Sequence, residues 1–537
     1  MNSIADHLPI LPVLLPAFTA IVLLLFGDQG HLTDRSHTQR KLRWARRIAL
    51  TSATLGLVLA LRLVVEADAS DVPLVYRVGE WPAPFGIAIV VDRLGALMLL
   101  LTSLVALPVL CYASGGWDAQ GRHFHALFQF QLMGLAGAFV TGDLFNLFVF
   151  FEVLLIASYV LLVHGQGRER FRVGLHYVVL NLVASALFLI GVALLYAKTG
   201  TLNLADLALR VPMVAAPDAA VLQAAALLLL VVFGFKAALM PLAMWLPATY
   251  AASSAPVAAL FAIMTKVGVY AIIRVHGVVF GAGAGASAFA AQDWLLPLAL
   301  ATSAVGVLGA LASHTLPRLV AWLTVSSVGT VLAAVGLYST AAWSAALFYM
   351  VNSTLVIAGL FLLAELVAAQ RGDAADRLVP ASPVSQPLLL GLLLLLGAAS
   401  TTGLPPLPGF IGKLMILEAS GAHAWAVPVW SVVLGVGFLS MIGLARAGSI
   451  LFWHVQRDAP VSAASGVSAR LLGATVFLLG AGVLMSALAA PVQRYTQAAA
   501  LQLTNREAYA RAVLGESGGA QADTARPYRG LPPEKAR

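Results

Sequence analysis

The sequence predicts an all-α polytopic membrane protein of about fourteen transmembrane helices, ten of them forming two inverted five-helix repeats. Three observations carry that expectation. Of the 537 residues, 60% are hydrophobic and only 10% charged, with a mean hydropathy of +0.90, whereas soluble chains carry about 25% charged residues. Apolar runs long enough to cross a hydrocarbon core of about 30 Å recur from end to end. Two of the spans are interrupted by proline and lie five spans apart.

The spans begin near positions 4, 47, 87, 123, 143, 173, 219, 254, 293, 317, 341, 385, 426 and 470. Orientation follows from the loops. The stretch "RSHTQRKLRWARR" (35–47) carries six Lys or Arg residues and reads as a cytoplasmic loop. The next loop holds Glu66, Asp68, Asp71 and Glu80 against Arg77, as expected outside. Loops with Arg168, Arg170 and Arg172, and with Arg371 and Arg377, fall inside again. Fourteen spans then leave both termini periplasmic in a bacterial inner membrane. The first seven residues hold no Lys or Arg and no small-residue cleavage site follows, so the first helix is expected to be retained. The tail from 492 onward, rich in Gly, Pro and Ala, is expected to form one short helix and then disorder. Asp92 and Arg93 are expected at the interface, and Trp44, Trp81, Trp294 and Trp453 in the aromatic belts.

Segments 219–252 and 385–421 are too long for single straight helices. The first alone would measure about 50 Å. "GFKAALMPLAMWLP" breaks the first at Pro241 and Pro247, and "GLPPLPGFIGK" breaks the second at Pro405, Pro406 and Pro408. Proline removes a backbone donor and disrupts the helix. Broken backbone at membrane depth is tolerated where protein or a cavity covers it. An odd offset of five spans gives the two units opposite orientation, as in secondary transporters. The expected organisation is therefore three N-terminal helices (1–122), a first repeat (123–280), a second inverted repeat (281–457), a last helix (458–491) and an extramembrane tail (492–537).

The formal charge of +8 does not point to nucleic acid, because the basic residues collect in short loops. The single cysteine, Cys111, excludes intrachain disulfides and Cys-based zinc or iron–sulfur sites, and no nucleotide or metalloprotease motif is present. No cofactor is expected.

The informative residues are ionisable groups with no structural excuse. Glu152 lies at the centre of "LFNLFVFFEVLLIASYVLL" (144–162), where an acid costs about 2.5–3.5 kcal/mol on insertion scales. It is either half of a structural ion pair or a proton or ion site; both need a basic partner. Lys236 stands beside the first proline break, Lys266 is central in "ALFAIMTKVGVYAII", and Lys413 stands beside the second break. A lysine in a dry site answers both to desolvation and to an approaching carboxylate, so one Glu and several Lys can pass a proton by toggling charge. Snorkelling or pore lining is the plainer alternative for each lysine. His176, near the start of the sixth span, is a candidate relay or a hydrogen-bonded helix-end histidine. Arg446 in "GLARAGSILFWH" needs a partner or water, and Asp143 is a helix cap or an ion-entry residue.

Three stretches resemble a known family: "TGDLFNLFVFFEVLLIASYVLL", "FGFKAALMPLAMWLPATYAASSAPVAALFAIMTKVGVYAIIR" and "GLPPLPGFIGKL". They are similar to the antiporter-like membrane subunits shared by respiratory complex I and the Mrp-type multisubunit monovalent cation/proton antiporters. The resemblance covers nearly the whole chain except the tail. It implies a fourteen-helix fold with two inverted five-helix units, in which Glu152 matches the fifth-helix glutamate, Lys236 the seventh-helix lysine, Lys266 the eighth-helix lysine and Lys413 the twelfth-helix lysine. "AWLTVSSVGTVL", "YMVNSTLVIAGLFLLAELV" and "RAGSILFW" look like the D-type branch of the Mrp-type antiporters, also called PhaD or MnhD. Complex I relatives often carry histidine or lysine in the eleventh helix, where this chain has Asn352, Ser353 and Thr354, a departure that weakens a full relay through the second half. The resemblance implies exchange of Na+ or K+ for protons through the Glu/Lys relay, within a complex of other hydrophobic subunits in the lipid bilayer. The alternative is a proton-pumping membrane subunit of an NADH–quinone oxidoreductase or a membrane-bound hydrogenase.

Overall fold

A computed structural model of the protein describes residues 4–26, 35–456 and 468–515. A 3-10 segment over Ile4–Ile10 leads into α1 (Leu11–Phe26), and α2 follows over Arg35–Ala69. The basic stretch 35–47 is therefore helical and not a loop. Arg and Lys are strong helix formers, and the apolar span of α2 simply continues into water at its basic end.

The all-α expectation needs a second correction. A hairpin of β1 (Leu74–Arg77) and β2 (Ala88–Val91) pairs antiparallel, with Leu74 opposite Val91. "LVYR" and "AIVV" are rich in the β-branched and aromatic types that fit a pleated surface. Next come α3 (Arg93–Ala113), α4 (Phe124–Val140), α5 (Leu144–Leu162) and α6 (Arg168–Thr199), which also begins in the basic segment assigned above to a loop. The short α7 (Leu204–Arg210) precedes α8 (Ala216–Ala237), α9 (Trp245–Ala252) and α10 (Ala255–Ile272), which runs on as a π-helical segment over Ile273–Val279. The second half contains α11 (Gln292–Leu311), α12 (Leu316–Val335), α13 (Thr340–Ala368), α14 (Pro387–Thr402), α15 (Pro408–Ser420), α16 (Ala426–Phe452) and α17 (Ala469–Ala487).

Among the described residues, twelve helical stretches are long and apolar enough to cross a membrane, and α4 and α14 are shorter apolar helices. The chain is a multi-pass membrane protein. Helices α10, α12 and α13 are almost wholly enclosed by the others, whereas α2 and α17 present much of their surface outward. Trp44, Trp81, Trp294 and Trp453 are all exposed.

Two helices, α18 (Ala489–Thr504) and α19 (Arg506–Leu514), replace the single short tail helix expected, and 492 falls inside α18. They are docked: Ser344 and Thr496 hydroxyls meet at 3.0 Å, and Gln502 Oε1 accepts from the Arg93 N–H at 2.9 Å. The expected disorder further along concerns 516–537, which lie outside the described residues.

Asp92 and Arg93, expected at the interface, are both buried by protein. Asp92 caps α3 through the Gly95 N–H and pairs with Arg274 of the π-helical segment. Arg93 pairs with Asp71 at 3.0 Å and Asp68 at 3.4 Å. The tail helix α18 helps to cover Asp92 and Arg93, through Gln502 and Tyr495 on the Arg93 backbone.

Candidate functional site

Both proline-interrupted segments are broken, the first before Pro241 and the second at Pro405–Pro406, whereas Pro247 sits in the first turn of α9 (Trp245–Ala252) and does not interrupt it. Helix α8 ends at Ala237, the residue whose carbonyl the Pro241 ring would strike in a continued helix. Ala238 adopts the left-handed conformation (φ 63°), and a 3-10 turn over Leu242–Met244 leads into α9. The freed backbone is satisfied: Leu239 N–H donates to Gly234 O at 2.7 Å and Met240 N–H to the Thr302 hydroxyl at 2.8 Å. Helix α14 ends at Thr402, with Gly403 at φ 89°. Such breaks are tolerable at depth because protein covers them.

Lys236 occupies the last turn of α8, where exposed carbonyl ends favour a cation. It is 6% exposed. Its Nζ donates to Asn181 Oδ1 at 3.0 Å and lies 5.7 Å from the centre of the Phe151 ring. The Asn181 amide is itself oriented, since its Nδ2 donates to Tyr177 O at 2.8 Å. Glu152, next in chain to Phe151, accepts a hydrogen bond on Oε1 from the Ser185 hydroxyl. Among the described residues no direct ion pair joins Glu152 to Lys236. Asn181 and Ser185 connect them instead, one turn apart on one face of α6, about 6 Å along its axis. The acid and the base thus stand on a shared polar strip, close enough to exchange influence and not locked together.

Lys266 lies on α10, whose Gly268 meets the backbone of Phe233 and Ala237 with no room for a side chain. That close approach brings α10 against the end of α8. The Lys266 ammonium donates only to the neighbouring Thr265 hydroxyl, at 3.3 Å, and no carboxylate among the described residues pairs with it.

Lys413 solves the second break differently. It sits on α15, after the break, and reaches back so that Nζ donates to Thr402 O at 2.8 Å and Thr401 O at 3.2 Å. Both lysines therefore place a cation at the carbonyl end of a half-helix, one from within it and one from beyond it. Gly437 of α16 makes the room, since a Cβ there would lie 3.4 Å from Lys413 Nζ. Asn352 accepts from Ser400 at 2.9 Å nearby. Also within the second half, Ser303 and Thr330 hydroxyls meet at 2.9 Å across α11 and α12.

The remaining candidates lie elsewhere. His176 is exposed on the outer face of α6. Arg446 is exposed on α16 and donates to Ser313 O at 3.0 Å, tying α16 to the end of α11. Asp143 caps α5, accepting from the N–H groups of Phe145 at 2.8 Å and Asn146 at 2.9 Å. No group of three His, Cys, Asp or Glu residues suited to a metal occurs among the described residues.

Reasoning from sequence passed over Asn181 and Ser185, although two polar residues at i and i+4 inside "LHYVVLNLVASALFLIGVALL" were a readable signal. It also missed Arg274 as the partner of Asp92, and the set formed by Asp118 with Arg46 and His125.

Comparison with known proteins agrees with this fold. A family model described as NADH:quinone oxidoreductase/Mrp antiporter, transmembrane, matches residues 141–444. A protein of Rhizobium meliloti (strain 1021), named as the probable D-type subunit of a K(+)/H(+) antiporter, is 41% identical over 96% of this chain and 98% of its own length. The D-type subunit of the Na(+)/H(+) antiporter of Bacillus subtilis (strain 168) is 34% identical over 95% of this chain and 100% of its own. A chain in the structure of the Mrp complex from Dietzia sp. DQ12-45-1b superposes with a TM-score of 0.83 at 26% identity, covering 96% of this chain and all of that one. With more than half of its residues inside the family model and relatives matched almost end to end, this chain belongs to the NADH:quinone oxidoreductase/Mrp antiporter family, on its Mrp D-type branch.

Proposed function

We propose that this chain is the D-type subunit of a multisubunit antiporter that exchanges a monovalent cation, Na+ or K+, for protons across the bacterial inner membrane. It is a transporter subunit and not an enzyme. Glu152 and Lys236 form the switching pair, with Ser185 and Asn181 holding each in place, and Lys266 and Lys413 extend the proton path into the second half. The observation that carries this reading is the Lys236–Asn181 and Ser185–Glu152 geometry: opposite charges at mid-chain, kept apart yet linked along one face of α6. A purely structural ion pair would place the two in contact.

Counting the two shorter apolar helices and each interrupted pair once gives fourteen spans. The first inverted unit is then α4 to α10, within 123–280, and the second α11 to α16, within 281–457. The basic ends of α2 and α6, with Arg371 and Arg377, face the cytoplasm on the positive-inside rule, and both termini are periplasmic. The partners are other hydrophobic membrane subunits, for which the Mrp assembly containing the Dietzia chain is the precedent.

In inverted vesicles carrying the whole complex, Glu152→Ala is expected to abolish cation-induced dissipation of the pH gradient while the complex still assembles; normal dissipation refutes the assignment. The iron and flavin content of the purified complex separates this reading from a redox-driven pump of the same family. Neither group is expected, and stoichiometric amounts of both would make the chain a pump subunit.

A further inference from the structure

A half-buried carboxylate lies far from the switching pair. Glu365 is in the last turn of α13, at the end of the molecule where α2 and α6 carry their basic residues. The Trp117 indole N–H donates to its Oε1, while its Oε2 is buried without a hydrogen-bond partner among the described residues. The Tyr112 hydroxyl is close, donating to Leu362 O at 3.4 Å. The Arg170 guanidinium stacks over the Trp117 ring at 5.2 Å and donates to Ala252 O at 3.0 Å and His164 O at 2.7 Å.

Glu365 lines a cavity of about 150 Å³ that opens to this face, together with Trp117, Arg170, Tyr250, Ser254 and Asp376. The Ser254 hydroxyl is a second buried polar atom there without a partner among the described residues. A polar cavity of this size has room for water, the natural partner for such atoms. The cavity abuts one end of α9 and the Lys236 break abuts the other. Eight residues of helix, about 12 Å, separate them. At the inner end, Trp245 donates to Phe235 O, beside Lys236, and stacks on Tyr177 with ring centres 5.2 Å apart. Tyr177 O is the acceptor that orients Asn181. The second half of the broken helix is thus the wall between the cavity and the switching pair.

We propose that Glu365 is the proton port of this chain on its basic face. Its carboxylate takes a proton from hydronium on the inner side, leaving water, and the acid so formed gives that proton to water at the cavity mouth. Only O–H bonds form and break. A port for the metal cation fits less well, because a hard cation seeks several oxygen ligands, and here the Trp117 N–H is donated to Glu365 and the Arg170 guanidinium shares the cavity with its two carboxylates, Glu365 and Asp376. The inference rests on reading Glu152 and Lys236 as the exchange pair.

The test uses the whole complex in inverted vesicles, with the basic face outward. Glu365→Gln retains an oxygen for the Trp117 N–H but cannot titrate. The rate per assembled complex is expected to fall about tenfold or more, as for loss of a proton-transfer group, and Glu365→Asp to recover much of it. An unchanged rate across the pH range overturns the port. If Glu152→Gln is inactive while Glu365→Gln is normal, the port alone fails; if Glu152→Gln is normal, the exchange-pair reading fails. A second measurement does not depend on the carboxyl: Ser253 also lines the cavity, and Ser253→Cys, in a Cys111→Ser background, is treated with a charged, membrane-impermeant thiol reagent. Labelling that blocks exchange relative to the same unlabelled variant supports the port. Labelling without loss, or no labelling from that face, overturns it.

Discussion

The amide oxygen of Asn181 lies 3.0 Å from the ammonium nitrogen of Lys236, and one turn along the same helix Ser185 holds the carboxylate of Glu152. Acid and base are thus each given a neutral partner. On the proposed reading, the neutral acceptor lets the lysine exchange partners, and a fixed charge in its place would not. Asn181→Asp is expected to place a permanent counter-charge beside Lys236 and to slow exchange about tenfold or more. Asn181→Ala should cause a smaller loss. Cation-induced collapse of the pH gradient, normalised to assembled complex, gives the ranking; equal rates for Asp and Asn at this position would contradict it.

Ser185 makes the complementary prediction. Removing its hydroxyl leaves one oxygen of Glu152 without its donor in a poorly solvated site, a loss of about 1–3 kcal/mol. Ser185→Ala is expected to reduce exchange severalfold, and Ser185→Thr, which keeps the hydroxyl, to preserve it. Comparison of maximal rate with half-saturating cation concentration makes the test specific, because only the rate should change.

The parts of this architecture that follow from chain physics were legible in the sequence. Pro241 and the Pro405–Pro406 pair forbid continuous helices and place the breaks correctly, and Glu152, Lys236, Lys266 and Lys413 stand out because charge in an apolar run needs a reason. What could not be read was partnership across the fold. Nothing near Asp92 in the chain announces Arg274, 182 positions away. The basic segment 35–47 shows the opposite failure: its charges located the water but did not end the helix. Asn181 and Ser185 were readable by spacing and were overshadowed by the neighbouring charges.

The Asp92–Arg274 pair is expected to serve stability and not transport. Both side chains are at most 4% exposed, and Arg274 Nε also donates to the Tyr270 hydroxyl at 3.0 Å. Removing one member of such a pair strands the other charge, at a cost of about 3–5 kcal/mol. Asp92→Ala should lower the yield and melting temperature of the purified complex. Asp92→Leu combined with Arg274→Met should recover part of the loss, since the double change strands nothing.

Asp118 sets an acid limit. Burial alone would raise its carboxyl, but hydrogen bonds from Arg46 and His125, together with their charges, outweigh burial and hold it below the ordinary aspartate range. Arg46 donates through Nε at 2.6 Å and Nη2 at 2.8 Å. The folded-state value is depressed, so this carboxylate contributes stability above its unfolded value of about 3.9, and that contribution is lost as pH falls through the depressed value. Melting curves of the detergent-purified complex between neutral pH and pH 3 should show this loss. Asp118→Asn should melt lower at neutral pH and change less on acidification; parallel curves for both proteins would count against the assignment.

Lys413 and Lys236 occupy similar ends of half-helices, yet their removal should have different consequences. Lys413 is the donor for the Thr401 and Thr402 carbonyls, which close α14. Lys413→Met therefore leaves two backbone acceptors inside the protein without their donor, at about 1–3 kcal/mol each, and should reduce both assembly and exchange. Lys236→Met removes the donor to a side-chain amide that keeps its bond to Tyr177 O, so it should reduce exchange with little effect on assembly. Gly437 separates the two effects at Lys413 itself. A Cβ there would stand 3.1 Å from Thr402 O and 3.4 Å from the ammonium nitrogen. Gly437→Ala asks both to yield by a few tenths of an ångström, whereas the branched side chain of Gly437→Val fills the space the ammonium uses. Exchange should decline from Gly to Ala to Val while the amount of assembled complex falls less steeply. If exchange and assembly fall together, the lysine is a helix cap alone, and the proton path ends before the second break.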